Sequence, residues 1–190
     1  RSAASGRGHG LNPQLAVLAA VARLAQAHSV PFAVVGGIAV IARGVARATR
    51  DVDVLVDTDQ LPSLVAAAAA CGLVGDGDPD DLVAFGLARV QPVGALGPHA
   101  DLMTPDTNFE REVTGRATEV DLGGVQVPVA TVEDLIVLKL AANRPQDIAD
   151  VLALKDALGT GIDRSLLHER GSRAGVGERV TRYFGPLSSR

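Results

Sequence analysis

The chain has 190 residues, of which 47% are hydrophobic and 21% charged; this is globular composition at the size of one domain, and it excludes a disordered chain. A single cysteine, Cys71, excludes an internal disulfide framework and a cysteine-based zinc site, and no apolar run approaches the ~20 residues that span a bilayer. The net charge of −4 is unevenly spread: residues 1–50 hold six Arg and no acid, residues 51–81 eight Asp and no base, and residues 164–190 six Arg and two Glu.

Residues 1–10 lack the apolar centre of a signal peptide and are expected to be a disordered or appended tail. Asn12-Pro13 then opens LAVLAAVARLAQA, a helix with an Asn cap and Pro at its first position. Pro31 begins PFAVV, a short strand. Gly36-Gly37 follow at once, and IAVIARGVARA (38–48) reads as a helix whose basic face carries Arg43 and Arg47. DVDVLV (51–56) has strand patterning. Leu61 to Cys71 reads as a helix closed by Gly72. GDGDPDD (75–81) reads as a turn, and LVAFGLARV (82–90) and HADLM (99–103) as strands. Further strands are expected at Arg116–Val120 and Val125–Val129, joined through Gly123-Gly124. Thr131 caps a helix containing LIVLKLAA, which breaks at Asn143-Arg144-Pro145. A second helix runs to Gly159, and one or two short basic helices complete the chain. The division expected is a core at 11–130 and a helical C-terminal part at 131–190.

The chemistry concentrates in VVGGIAVIARGVARATRDVDVLV (34–56). Asp51 and Asp53 stand two apart on a strand, so their side chains share one face with Cα atoms about 6.5–7 Å apart. Two carboxylates so close repel unless a cation lies between them, and Mg²⁺ is the common oxygen-liganded choice. Gly36-Gly37 between strand and helix would let a phosphate approach free backbone N–H groups. A phosphate cradle beside a metal pair points to a nucleoside triphosphate.

This pattern, Gly-Gly after a strand and then apolar-flanked Asp-x-Asp, resembles the polymerase-β-like nucleotidyltransferase superfamily, with Asp101 in Ala100-Asp101-Leu102 as the third carboxylate. The finer resemblance is to AbiEii-like nucleotidyltransferases, which include toxins of type IV toxin–antitoxin pairs. It rests on Gly36-Gly37 with GVARATRDVDVLV (44–56), on VPVATVEDLIVLKLAANRPQDIADV (127–151), and on their order. Where many superfamily members carry Ser after the first Gly, this chain has Gly37. The resemblance implies an α/β fold with a mixed sheet flanked by helices and a helical C-terminal extension. It implies that Asp51, Asp53 and Asp101 ligate two Mg²⁺ ions (Mn²⁺ being an alternative) while a nucleoside monophosphate passes from an NTP to a hydroxyl acceptor. Gly36 and Gly37 would cradle phosphates; Lys139 and Arg144 would neutralise them. Arg47, Arg50 and Asp147 are further candidates for the nucleotide site, and Asp150 shares a helix face with Asp147. RNA, tRNA, a protein or a small molecule such as an antibiotic could be the acceptor, and an antitoxin protein is an implied partner. A cytoplasmic setting without membrane contact is expected. The rival class is a non-catalytic nucleotide- or partner-binding module on the same fold.

Other readings fail on spacing. An EF-hand starting at Asp51 would place Leu55 and Val56 at positions that need Asp and Gly. One starting at Asp76 meets Asp81 where Gly is needed and Leu87 where Glu is needed. A haloacid-dehalogenase-like phosphatase places its Asp-x-Asp after the apolar strand, whereas here the apolar run follows it. Zinc hydrolysis needs clustered His, and His9, His28, His99 and His168 are scattered along the chain.

Overall fold

The computed structural model describes residues 12–76, 84–94 and 97–187. The tail expected at 1–10 and most of the turn expected at 75–81 lie outside the described residues.

Helix α1 (Pro13–Ala27) begins where expected: the Asn12 side chain accepts from Gln14 N at 3.0 Å, and Pro13 occupies the first helical position. It buries Val17, Leu18, Val21 and Leu24. The elements β1 (Phe32–Val34), α2 (Gly36–Ala42) and β2 (Val52–Val56) follow. Helix α3 (Leu61–Ala66) tightens into a 3₁₀ turn (Ala67–Cys71), which Gly72 closes in the left-handed conformation. Strands β3 (Leu73–Asp76), β4 (Leu87–Pro92) and β5 (Ala100–Met103) come next, then helix α4 (Asn108–Arg116) and the hairpin of β6 (Thr118–Asp121) and β7 (Gln126–Val129). Four helices complete the described chain: α5 (Val132–Ala142), α6 (Pro145–Leu158), α7 (Arg164–Arg173) and α8 (Gly177–Phe184).

The strands among the described residues form one mixed seven-stranded sheet in the order β3-β4-β5-β2-β1-β7-β6. Strand β2 lies parallel to β5 and antiparallel to β1; β1 lies parallel to β7. One face of its central strands is wholly apolar: Val52, Val54, Ala88, Val90, Ala100 and Leu102 are all buried. Alternation then turns Asp53, Asp101 and Arg89 to the other face. The α/β mixed sheet flanked by helices is the fold the sequence led us to expect.

Helix α5 carries Leu135, Ile136, Val137 and Leu140 into the core. It is tied to its neighbours by charge. Asp134 is fully buried and accepts from Arg116 of α4 at 3.0 and 2.7 Å, with Arg170 of α7 at 3.1 Å. A carboxylate so buried is tolerated only because cations and hydrogen bonds surround it.

Four local expectations change. The helix expected through residues 38–48 starts at Gly36 and ends at Ala42, because Gly44 takes φ +97 and Val45 N turns back to Val40 O. Arg43 and Arg47 therefore share no helix face. Arg43 instead fastens α2 to the hairpin, donating to Val129 O, Ala130 O and Thr118 Oγ1 at 2.7–2.9 Å. The strand expected from Arg116 starts at Thr118, because a Thr107/Glu110 capping box nucleates α4 just upstream. Residues 82 and 83 of the strand expected at 82–90 lie outside the described residues; within them the strand runs from Leu87 to Pro92. One of its two antiparallel partners is Leu73–Asp76, part of which reads as a turn in the sequence.

Candidate active site

The site forms where β1 ends and β2 begins. The antiparallel register pairs Val34 with Val54, and Val35 N donates to Asp53 O at 2.9 Å. The chain turns into α2 at Gly36 directly beside the Asp53 side chain. Gly36 has φ +59, and a Cβ there would overlap the Asp53 carboxylate. A Cβ on Gly37 would meet Thr49 Oγ1 at 2.5 Å and the Arg47 guanidinium at 3.4 Å. The two glycines are thus required by the close approach of β2 and of the loop before it. The backbone of Gly37 lies close enough to the Asp53 carboxylate to favour its charged form. The sequence suggested glycines that admit a phosphate; their first duty here is to seat Asp53.

The parallel register sets Asp53 directly opposite Asp101. Burial raises the pKa of Asp53 above its ordinary value, and the negative charges of Asp101 and Asp51 raise it further. The Gly37 N–H and the charge of Lys139 act the other way without cancelling the rise. This is a half-buried carboxylate placed among like charges, a cost that a bound cation would remove.

Asp51 is 53% exposed at the strand entrance. Asp101 is only 18% exposed and is held by Arg89 on β4: Nε donates to Oδ1 at 2.8 Å and Nη2 to Oδ2 at 3.1 Å. His99 Nε2 lies 3.3 Å from Asp51 Oδ1 and 3.9 Å from Asp101 Oδ1. It is sealed from solvent and makes no hydrogen bond. Among the described residues, no three His, Cys, Asp or Glu side chains converge tightly enough to hold an ion as they stand. The donor chemistry suits a divalent cation: three carboxylates with excess negative charge, and an unused ring nitrogen beside them.

The other candidates form a second cluster behind the first. Lys139 of α5 is buried and meets Asp147 Oδ1 at 2.9 Å and Asp150 Oδ2 at 2.7 Å. Arg47 Nη1 reaches the same Asp150 oxygen at 2.5 Å. Arg144 donates from Nε to Asp147 at 2.6 Å while most of its side chain stays exposed. Burial pushes the pKa of Asp147 up, but the hydrogen bonds from Arg144 and Lys139 outweigh it and hold the group below its ordinary value. Asp147 and Asp150 therefore anchor cations. Arg50 is exposed at the rim.

The structure brings Gly36, Gly37, Asp51, Asp53 and Asp101 together, with Lys139, Arg47, Arg144 and Asp147 linked behind them. Sequence reasoning missed His99 and Arg89. His99 lies two residues before Asp101 in the run 99–103 that the sequence reads as a strand, so period-two alternation would place both on one face. Arg89 becomes visible only with the β4–β5 register.

A mixed sheet with paired Asp residues beside a Gly-Gly turn defines a nucleotidyltransferase-type architecture. A family described as nucleotidyltransferase of unknown function (DUF6036) matches residues 14–176, and the chain belongs to it. The protein is a nucleotidyltransferase, an enzyme class that draws its nucleotide from a nucleoside triphosphate, usually with a divalent metal. Comparison with curated proteins gives no significant match. Among solved structures, the chain is similar to ANT(2″)-Ia in complex with adenylyl-2″-tobramycin, with TM-score 0.57, 16% identity, and coverage of 90% of this chain and 99% of that one. It is also similar to the lincosamide antibiotic adenylyltransferase LnuA, bound to lincomycin (TM-score 0.51, 15% identity, 73% of this chain and 94% of that one). An antigenic nucleotidyltransferase-like protein from Paracoccidioides brasiliensis gives TM-score 0.51 and 17% identity, over 74% of this chain and 75% of that one. At these identities the likeness is one of fold. No helix among the described residues is long and apolar enough to cross a membrane.

Proposed function

We propose that this enzyme transfers a nucleoside monophosphate from an NTP to a hydroxyl acceptor, with Asp51, Asp53 and Asp101 as ligands for Mg²⁺ or Mn²⁺. The observation that carries this reading is the direct cross-strand pairing of Asp53 with Asp101, on the face where Gly36 closes on the Asp53 side chain. Divalent cations, when bound, would neutralise the carboxylates and stabilise charge on the attacking and leaving oxygens of an in-line displacement at the α-phosphorus. The acceptor hydroxyl loses its proton, a P–O bond forms, and pyrophosphate leaves. Asp101, on the strand next to Asp53, is the residue best placed to receive that proton. Arg50 is exposed, and Arg144, though paired with Asp147, keeps most of its side chain in solvent, so both can turn guanidinium N–H groups to the phosphates. Lys139 and Arg47 are positioning residues as the side chains stand, because their charges are spent on Asp147 and Asp150. In this reading residues 11–130 carry the chemistry and the helices from 131 onward support it.

The fold likeness to two antibiotic-modifying adenylyltransferases favours a second reading of the acceptor, a small hydroxylated molecule in place of RNA or protein. The AbiEii-like motifs favour a macromolecular acceptor and an antitoxin partner.

The test is an acceptor screen. The protein is incubated with each α-³²P-labelled NTP, Mg²⁺ or Mn²⁺, and a cell extract divided into RNA, protein and small-molecule fractions. Label is expected in one fraction and is lost with Asp51→Ala/Asp53→Ala. Metal-dependent NTP binding without label in any fraction would count against transfer and for a binding module.

A further inference from the structure

We infer that His99 is a nitrogen ligand of the divalent cation on the acceptor side of this site, an assignment that rests on the reading of Asp51, Asp53 and Asp101 as metal ligands. Strand pairing carries the inference. Val52 pairs with Ala100 and Asp53 with Asp101, and Val52 N donates to His99 O at 3.2 Å. Asp51 and His99 therefore stand opposite each other, one step before the Asp53–Asp101 pair. Asp51 and His99 are the residues that lead into β2 and β5; alternation continued by that one residue, together with the approach of His99 to both Asp51 and Asp101, puts all four side chains on one face, at the corners of a rectangle about 4.8 Å across the strands and about 6.5–7 Å along them. Three corners are carboxylates. The fourth is an imidazole.

The ring nitrogen is aimed inward. His99 Nε2 lies 3.3 Å from Asp51 Oδ1 and 3.9 Å from Asp101 Oδ1, hydrogen-bonds to neither, and is closed off from solvent. A buried ring nitrogen that makes no hydrogen bond is costly and calls for a role. A nitrogen lone pair flanked by two carboxylate oxygens is a mixed donor set for a divalent metal. Asp101 completes the set by turning its carboxylate from Arg89 towards Nε2. Arg89 is half exposed, so water can take over its solvation.

A nitrogen ligand changes which metal the site favours. Imidazole suits Mn²⁺, Co²⁺ and Zn²⁺ better than Mg²⁺, which prefers oxygen throughout. This chain should therefore discriminate against Mg²⁺ more than an all-carboxylate site would.

The test uses the full chain loaded with Mn²⁺ and inorganic tripolyphosphate, a probe that contains no nitrogen. Electron spin-echo envelope modulation reads nitrogen bound directly to the metal. The expected spectrum shows ¹⁴N modulation from one imidazole, which moves to ¹⁵N frequencies when only histidine is ¹⁵N-labelled. In His99→Gln the modulation disappears, Mn²⁺ affinity drops about tenfold or more, and the preference for Mn²⁺ over Mg²⁺ narrows. Bound Mn²⁺ without nitrogen modulation in the wild type would overturn the assignment while leaving the carboxylate site standing. Modulation that persists in His99→Gln would overturn it too. The labelled wild type decides the matter even if that variant does not fold. If the wild type binds no Mn²⁺, the metal reading itself falls, and the assignment with it.

Discussion

Two charged clusters lie side by side in this protein. In the one carried by α5 and α6, Asp147 and Asp150 are met by Lys139, Arg47 and Arg144, and each of the two carboxylates has two cationic partners. In the one on the sheet face, the ion pairs among the described residues are those of Arg89 with Asp101 and of the His99 ring with Asp51 and Asp101, and Asp53 has none. The direction of the pKa shifts follows. Asp147 is held below its ordinary value although burial opposes this, whereas Asp53 is pushed above it. A structural cluster supplies its own counter-charges, while a binding cluster leaves part of that work to its ligand.

The largest effect separates the clusters by activity. Asp51→Ala/Asp53→Ala should lower transfer by at least about 10³-fold, since the charge stabilisation lost is worth several kcal/mol. The metal-free protein should remain folded, because a repulsive arrangement has been relieved. Single-turnover kinetics and thermal melts read the two quantities.

Lys139→Met should do the reverse damage. It leaves Asp147 and Asp150 buried with one cation each, which should cost about 3 kcal/mol of stability, the low end for a broken buried pair. Urea denaturation at neutral pH measures this.

Gly36→Ala comes next. It places a Cβ against the Asp53 carboxylate at a positive φ, and such strain costs about 1–3 kcal/mol. Metal affinity should fall with stability, because Asp53 is the group displaced. A variant that loses stability but binds Mn²⁺ normally would contradict the seating role of this glycine.

The smallest effect is one of pH. Asp147 has a lowered pKa, so its stabilisation is complete above the ordinary carboxylate value and is lost as pH falls through the lowered one. Asp53 has a raised pKa, so its contribution runs the other way and declines as pH climbs from the ordinary value through the raised one. Asp53→Asn should remove the decline on the rising side, and Asp147→Asn the loss on the acid side. Thermal midpoints across the acid range, with metal absent, distinguish them.

Much of this was legible in the chain. Alternation around Asp51 and Asp53 fixed their common face, and the Thr131, Asn143 and Pro145 signals fixed the helices that carry Lys139 and Asp147. What could not be read was register. Nothing local states that Asp101 pairs with Asp53 or that Arg89 pairs with Asp101, because such partners are set by the whole sheet. The close approach that requires Gly36 likewise depends on a neighbouring strand and is not visible in the Gly-Gly pair itself. The end of α2 was misjudged because Arg43 and Arg47 fit a helical period, while Gly44 decided the backbone.

The most direct measurement is the thermal midpoint of three proteins with and without Mn²⁺ and NTP: wild type, Asp51→Ala/Asp53→Ala, and Lys139→Met. The account predicts that metal and nucleotide raise the midpoint of the wild type, and that of a folded Lys139→Met from its lower base, but leave the double variant unmoved. An equal rise in the double variant would show that the ligand binds elsewhere and would contradict the assignment of the sheet face as the catalytic site.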